Sequence, residues 1–215
     1  KTTTLYSSLK NIATPEVNVC TIEDPIEMVE PMFNQMQVQP VIGVDFATGV
    51  RTLMRQDPDI IMVGEVRDHD TAEMAVQAAL TGHLVLSTLH TNDAPSAVTR
   101  LLDLGVPPFL LSSTLLGVMA QRLVRTLCPH CKKPTDPPDD DTWRALTMPW
   151  RADKPEKVMA PAGCLECRMT GYYGRIGLYE IMLMTPALRR LVPQDADDRA
   201  IRELAYKEGM KPLRV

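Results

Sequence analysis

The chain has 215 residues, 45% of them hydrophobic and 23% charged, the composition of a globular protein with one large domain or one plus a small appendage. Its formal net charge of −4 speaks against a nucleic-acid partner, whose binder ordinarily presents a basic surface. No apolar run approaches the roughly 18–20 residues of a membrane span, and no signal peptide opens the chain.

In chain order, Thr2–Ile12 reads as a helix, with Leu5, Leu9 and Ile12 at helical spacing. Val17–Ile22 is β-prone and runs into the acidic pair Glu23–Asp24. Pro25, Pro31 and Pro40 then punctuate a stretch expected to be irregular or hairpin-like. Phe46–Arg55 reads as helix. Ile60–Val63 is a continuous apolar run, the pattern of a strand buried on both faces. The alanine-rich Thr71–Leu80 reads as helix, Leu84–Thr88 as a second buried strand, and 94–103 and 108–122 as two further helices. Strands alternating with helices predict a parallel α/β sheet. After Arg125 the texture changes. Cys128 to Cys167 enclose PTDPPDDD and a Trp-containing segment, expected to be a small metal-bound insert with a mobile outer part. Regular structure resumes near Ile176–Ile181, followed by helices over 186–192 and 197–208. The expected division is 1–125, 126–175 and 176–215.

The chain opens on Lys-Thr-Thr directly at a predicted helix. A phosphate-binding loop ends in Gly-Lys-[Ser/Thr] and passes straight into a helix, its lysine on the β- and γ-phosphates and its next hydroxyl on Mg²⁺. Without the glycines that would precede it, Lys1-Thr2-Thr3 is equally the start of any amphipathic helix. The strand ends add more. Glu23 and Asp24 end the first strand, Glu65, Arg67 and Asp68 follow the second, and His90 follows the third. In a parallel sheet the carboxyl ends of the strands form the ligand crevice, so these groups are expected on one edge with Lys1 and Thr2. An acid after an apolar strand presents a carboxylate to Mg²⁺ or to an attacking water; Gly64 stands where an aspartate commonly precedes it. Either Glu23 or Glu65 is then the base, and His90 a candidate partner of a γ-phosphate. His83, at the other end of its strand, is either a phosphate contact or structural.

Cys128-Pro-His-Cys131 and Cys164-Leu-Glu-Cys167 are two C-x₂-C pairs that together suit tetrahedral, structural Zn²⁺. Disulfides are the alternative, less suited to a reducing cytoplasm. His130 is a spare donor. Cys20 reads as a buried small hydrophobe. The basic residues Arg122, Arg125, Lys132 and Lys133 form either a solvated face or a docking patch.

KTTTLY, TIEDPIE, RQDPDIIMVGEVRD, TGHLVLSTLHTNDA, AQRLVRTLCPHC and GCLECRMTGYYGRIGLYEIM together resemble the bacterial type II secretion and type IV pilus-assembly ATPases over nearly the whole chain to about Met182. The resemblance implies a RecA-like P-loop ATPase core, cut at the lysine of its phosphate-binding loop, with a four-cysteine zinc insert and C-terminal helices. It implies ATP, Mg²⁺ on Thr2, and nucleotide contacts from Lys1, Thr2, Thr3 and His83. Catalysis would rest on Glu23, Glu65 and His90, with zinc on Cys128, Cys131, Cys164 and Cys167. It further implies a homo-hexamer in the cytoplasm at the inner membrane, acting on a platform protein and a membrane-anchored partner. Arginine fingers are expected from a preceding domain; Arg51, Arg55 and Arg67 are unassigned. The secretion branch is the first expectation and pilus assembly the second; a non-enzymatic zinc module is the alternative outside this family. A chain lacking the loop glycines is expected to bind nucleotide poorly and to be inactive alone.

Overall fold

A computed structural model describes residues 1–148, 151–194 and 197–213. The chain divides into two compact units, Lys1–Val118 with Met182–Glu208, and Met119–Ile181 with the segment from Gly209 onward.

The first unit is built on a four-stranded sheet ordered β2-β1-β3-β4, with β1 Val19–Glu23, β2 Phe33–Gln37, β3 Ile60–Val63 and β4 Leu84–Ser87. All three pairings are parallel. Strand β2 was not foreseen within the stretch from Pro25 to Pro40, which was expected to be irregular or hairpin-like. Residues 33–37 instead run parallel to β1, with Phe33 opposite Val19. Its sequence, FNQMQ, is polar because it is an edge strand with only Phe33 buried.

The period-2 alternation of the strands divides the core in two. Cys20, Ile22, Ile61 and Val63 face one layer with Phe46, Val50 and Leu53 of α2 (Phe46–Leu53) and Ala78 of α3 (His69–Leu80). Val19, Ile60 and Met62 face the other, with Tyr6 and Leu9 of α1 (Thr2–Ile12) and Phe33. Leu9 and Ile61 are fully buried; each such side chain contributes about 1.5–3 kcal/mol of transfer free energy. Helix starts follow ordinary capping chemistry: Asp45 accepts from Thr48 N and Asp68 from Thr71 N.

Next come α4 (Pro95–Asp103) and α5 (Pro108–Thr114). Here the expected helix over 108–122 is corrected. It stops at Thr114, and residues Gly117–Leu127 form strand β5, paired with β8 (Tyr172–Leu183). The apolar spacing of this run is compatible with either period, and Gly117 explains the choice. A Cβ there would stand 3.0 Å from the Met182 carbonyl, so the strands come together at a residue with no side chain. Helices α7 (Pro186–Leu191) and α8 (Asp198–Lys207) return to the first unit, close to their expected bounds.

In the second unit β6 (Lys133–Thr135) pairs antiparallel with β7 (Val158–Ala160). The acidic segment between them carries α6 (Asp140–Thr147), capped by Asp139 on Thr142 N, and Trp143 donates to the Ala152 carbonyl at 3.0 Å. No helix among the described residues is long and apolar enough to cross a membrane.

Candidate functional site

Because β1, β3 and β4 are parallel and in register, their carboxyl ends open on one edge of the sheet. A cleft there is lined by Lys1, Thr2, Glu23, Asp24, Glu27, Gly64, Glu65 and Thr88, among others. Lys1 caps α1 and donates from Nζ to the Leu89 carbonyl, just past β4. Thr2 lines the cleft at the first turn of α1, where free N–H groups favour an anion. Thr3 is exposed and is not among the lining residues.

The two glutamates differ in environment. Glu23 is 3% exposed, and its carboxylate accepts from Thr21 Oγ1 at 2.7 Å, Tyr6 Oη at 2.8 Å and Gln35 Nε2 at 3.3 Å. Glu65 lies at the cleft wall with its side chain 12% exposed. It is ion-paired with Arg67 and stands 3.2 Å from His90 Nε2. The hydrogen-bonded Glu65 carboxylate is what holds the Arg67 guanidinium above its ordinary range. Arg67, unassigned in sequence, therefore pairs with Glu65, while the Asp68 carboxylate caps α3.

Gly64 follows from close packing. Its N–H donates to the Ile22 carbonyl at 2.8 Å, extending the β1–β3 ladder. A Cβ at this position would lie 3.2 Å from that oxygen and 3.4 Å from Glu23 Cα. An aspartate there would push the two acidic strand ends apart.

His83 is not brought to the cleft. It precedes β4, and Nδ1 sits 2.8 Å from the Ala78 carbonyl and 3.1 Å from Thr81 Oγ1, at the end of α3. A strand of this length separates its two ends by about 13 Å, so a phosphate at His90 is out of reach of His83 in the same chain.

In the second unit the Sγ atoms of Cys128, Cys131, Cys164 and Cys167 all lie within 4.8 Å of one another, and none is in a disulfide. The Sγ–Sγ separations are 3.9 Å for Cys128–Cys164 and 3.8 Å for Cys131–Cys167 and Cys164–Cys167. A tetrahedron with Zn–S bonds of about 2.3 Å has edges of about 3.8 Å, so this donor set fits the ion. His130 is exposed and outside the group. Cys131 Sγ accepts from Gly163 N at 3.3 Å, and Cys167 Sγ from Cys164 N and Gly171 N at 3.2 Å each. Burial opposes ionisation of Cys167, but these two N–H donors and the adjacent thiols bring it down to about 6. Cys20 is buried, and burial pushes its thiol up, as befits a small hydrophobe.

Residues 1–215 match the family described as Type II/IV secretion system protein. The chain belongs to this family. Among its secretion-family relatives, the type IV pilus assembly ATPase TfpB of Acinetobacter baylyi is 63% identical over 215 residues, covering 100% of this chain and 37% of that protein. The type II secretion system ATPase E of Vibrio cholerae is 50% identical over 201 residues, 94% of this chain and 39% of the relative. This family member therefore spans about two fifths of the length of its curated relatives. The solved pilus retraction motor PilT with bound ADP superposes with a TM-score of 0.62 at 28% identity, covering 98% of this chain and 55% of the motor. The ATPase DotB of Legionella pneumophila shares the fold, with a TM-score of 0.66 at 24% identity over 99% of this chain and 50% of that one.

The residues that sequence reasoning missed are Tyr6, Thr21, Gln35 and Thr88. Tyr6 carried a signal, since it lies one helical turn from Thr2; Gln35 carried none, because β2 itself was unread.

Proposed function

We propose that this chain is the hydrolytic part of a P-loop ATPase with a RecA-like core, working as a homo-hexamer at the inner membrane, with no nucleic acid involved. The observation that carries the reading is the meeting of Lys1, Thr2, Glu23 and Glu65 around one cleft at the carboxyl edge of a parallel sheet. Lys1 would contact the β- and γ-phosphates. Thr2 would hold Mg²⁺, which supplies charge neutralisation on the transferring phosphoryl group.

Glu65 is the better base. Its carboxylate lies at the cleft wall, beside groups able to move with nucleotide: Arg67 and His90, whose side chains are 61% and 74% exposed. Glu23 is already taken by three internal donors and is better suited to hold a fixed charge near the metal. His90, on Glu65, would report the state of the γ-phosphate. The four cysteines would hold a structural zinc ion.

The 63% identity to a pilus assembly ATPase, against 50% to a secretion ATPase, favours pilus assembly over type II secretion, the branch that the sequence first suggested. In either branch the partners would be an inner-membrane platform protein and a membrane-anchored cytoplasmic-domain protein. The test of the site is Glu65→Gln in the full-length protein, with binding and turnover measured separately. Mg·ATP affinity should stay within about 3-fold while turnover falls at least about 100-fold. Turnover at the parental level would refute the assignment.

A further inference from the structure

Tyr6 closes the KTTTLY run but was assigned no role there, and it lies beneath the cleft in contact with Glu23. Thr2 and Tyr6 are four residues apart on α1 and so share one face. The turn that presents Thr2 to the cleft therefore aims Tyr6 at β1. The phenol is 2% exposed, and its Oη lies 2.8 Å from each oxygen of Glu23 and 2.9 Å from the Met28 carbonyl. Gln35 Nε2 stands 2.8 Å from the same hydroxyl and 2.9 Å from the same carbonyl.

Donor arithmetic fixes the direction of this chain of bonds. A phenol has one proton. Gln35 brings two N–H donors and directs them to Tyr6 Oη and Met28 O, with a longer, shared contact of 3.3 Å to Glu23, which leaves the Tyr6 proton for the Glu23 carboxylate. The polarity runs Gln35 to Tyr6 to Glu23, with Thr21 as the second donor at 2.7 Å. Burial, with Glu23 alongside, holds the phenol above its ordinary range, so Tyr6 stays a neutral donor throughout the physiological pH span. Through Met28 the Gln35 amide, which also donates to Tyr6, holds the loop that carries Asp24 and Glu27, both of which line the cleft.

We propose that Tyr6, supported by Gln35, is a positioning residue that sets Glu23 in register with Thr2. The proposal rests on the reading of Glu23 and Thr2 as parts of a Mg·ATP site. Its observable consequence is coupling: removing the hydroxyl should act through Glu23 alone.

The experiment is a double-mutant cycle in the full-length protein with Tyr6→Phe, Glu23→Gln and the pair, reading kcat, KM for ATP and the Mg²⁺ concentration at half-maximal rate. Tyr6→Phe should lower kcat about 10- to 100-fold and raise half-saturating Mg²⁺, with KM changed less than about 3-fold. In the Glu23→Gln background the same change should cost less than about 2-fold. Additive losses, or a Tyr6→Phe protein that melts earlier but keeps its kcat and Mg²⁺ dependence, would overturn the positioning role. Parental turnover in Glu23→Gln would instead sink the underlying assignment of Glu23. Should Tyr6→Phe fail to fold, Gln35→Met is the deciding variant. A smaller loss of kcat that vanishes in the Glu23→Gln background supports the proposal, and an unchanged kcat overturns it.

Discussion

Glycines at two positions carry consequences out of proportion to their size. Gly64 sits where a Cβ would press on the backbone of β1 at 3.2 and 3.4 Å, and backbone in a central strand has little room to yield. Gly64→Ala should therefore cost about 1–2 kcal/mol in a urea titration and also depress turnover, because Glu65 is the next residue. Gly171 has φ +76°, and a Cβ would meet Pro161 Cβ at 2.5 Å. Its carbonyl accepts from Cys128 N at 2.9 Å while its N–H donates to Cys167 Sγ, so it ties the two cysteine pairs together. Gly171→Ala should weaken metal retention by at least about 10-fold in a chelator competition; unchanged retention would mean that the backbone tie is dispensable. Both sites were legible in sequence only as glycines. Which atoms they spare was not, because that depends on residues 10 to 42 positions away.

At the level of elements, α4 and α8 are joined by a polar network at their N-terminal ends. Asp93 accepts from Ser96 N at 3.0 Å, Ser96 Oγ at 2.6 Å and Arg202 at 3.1 Å; Arg202 also pairs with Asp198 at 2.7 Å, and Ser96 Oγ donates to Asp198 at 3.1 Å. Burial pushes the Asp93 carboxyl up, but the Ser96 and Arg202 donors outweigh it and hold the group below the ordinary aspartate range. A depressed folded pKa means that the stabilisation is complete above the unfolded value of about 3.9 and is lost as pH falls through the folded value. Asp93→Asn should thus destabilise by about 1–2 kcal/mol at pH 7, and the gap to the parent should close as pH is lowered below about 4. A gap that persists in acid would show that the bonds, not the charge, carry the effect. The sequence predicted both helices here but not their joint, since Asp93 and Arg202 are 109 residues apart. It also misread 108–122, where partnering with β8 decides for strand over helix.

For the whole molecule, the two units predict two separable responses to metal. The β6–β7 ladder and the four thiols lie in one unit, and the four-stranded sheet in the other. Metal analysis should find one zinc per chain. Chelation should raise amide exchange at 133–135 and 158–160 while leaving β1 and β3 protected. Loss of protection across the sheet as well would mean that the units unfold together.

The sequence by itself determined the parallel strands β1, β3 and β4, the two cysteine pairs and the edge on which Glu23, Glu65 and His90 would lie, though β4 was expected to be buried and leaves Leu84 exposed. Those follow from local rules: apolar runs, cysteine spacing, and the common direction of parallel strands. Tertiary structure alone decided that His83 faces away from the cleft and that Arg67 takes Glu65. It alone decided that β2 completes the sheet and that Tyr6 and Gln35 grip Glu23. Each of these is a contact between segments that sequence periodicity treats as independent, and each is chosen by packing and by the need of a buried polar group for a partner.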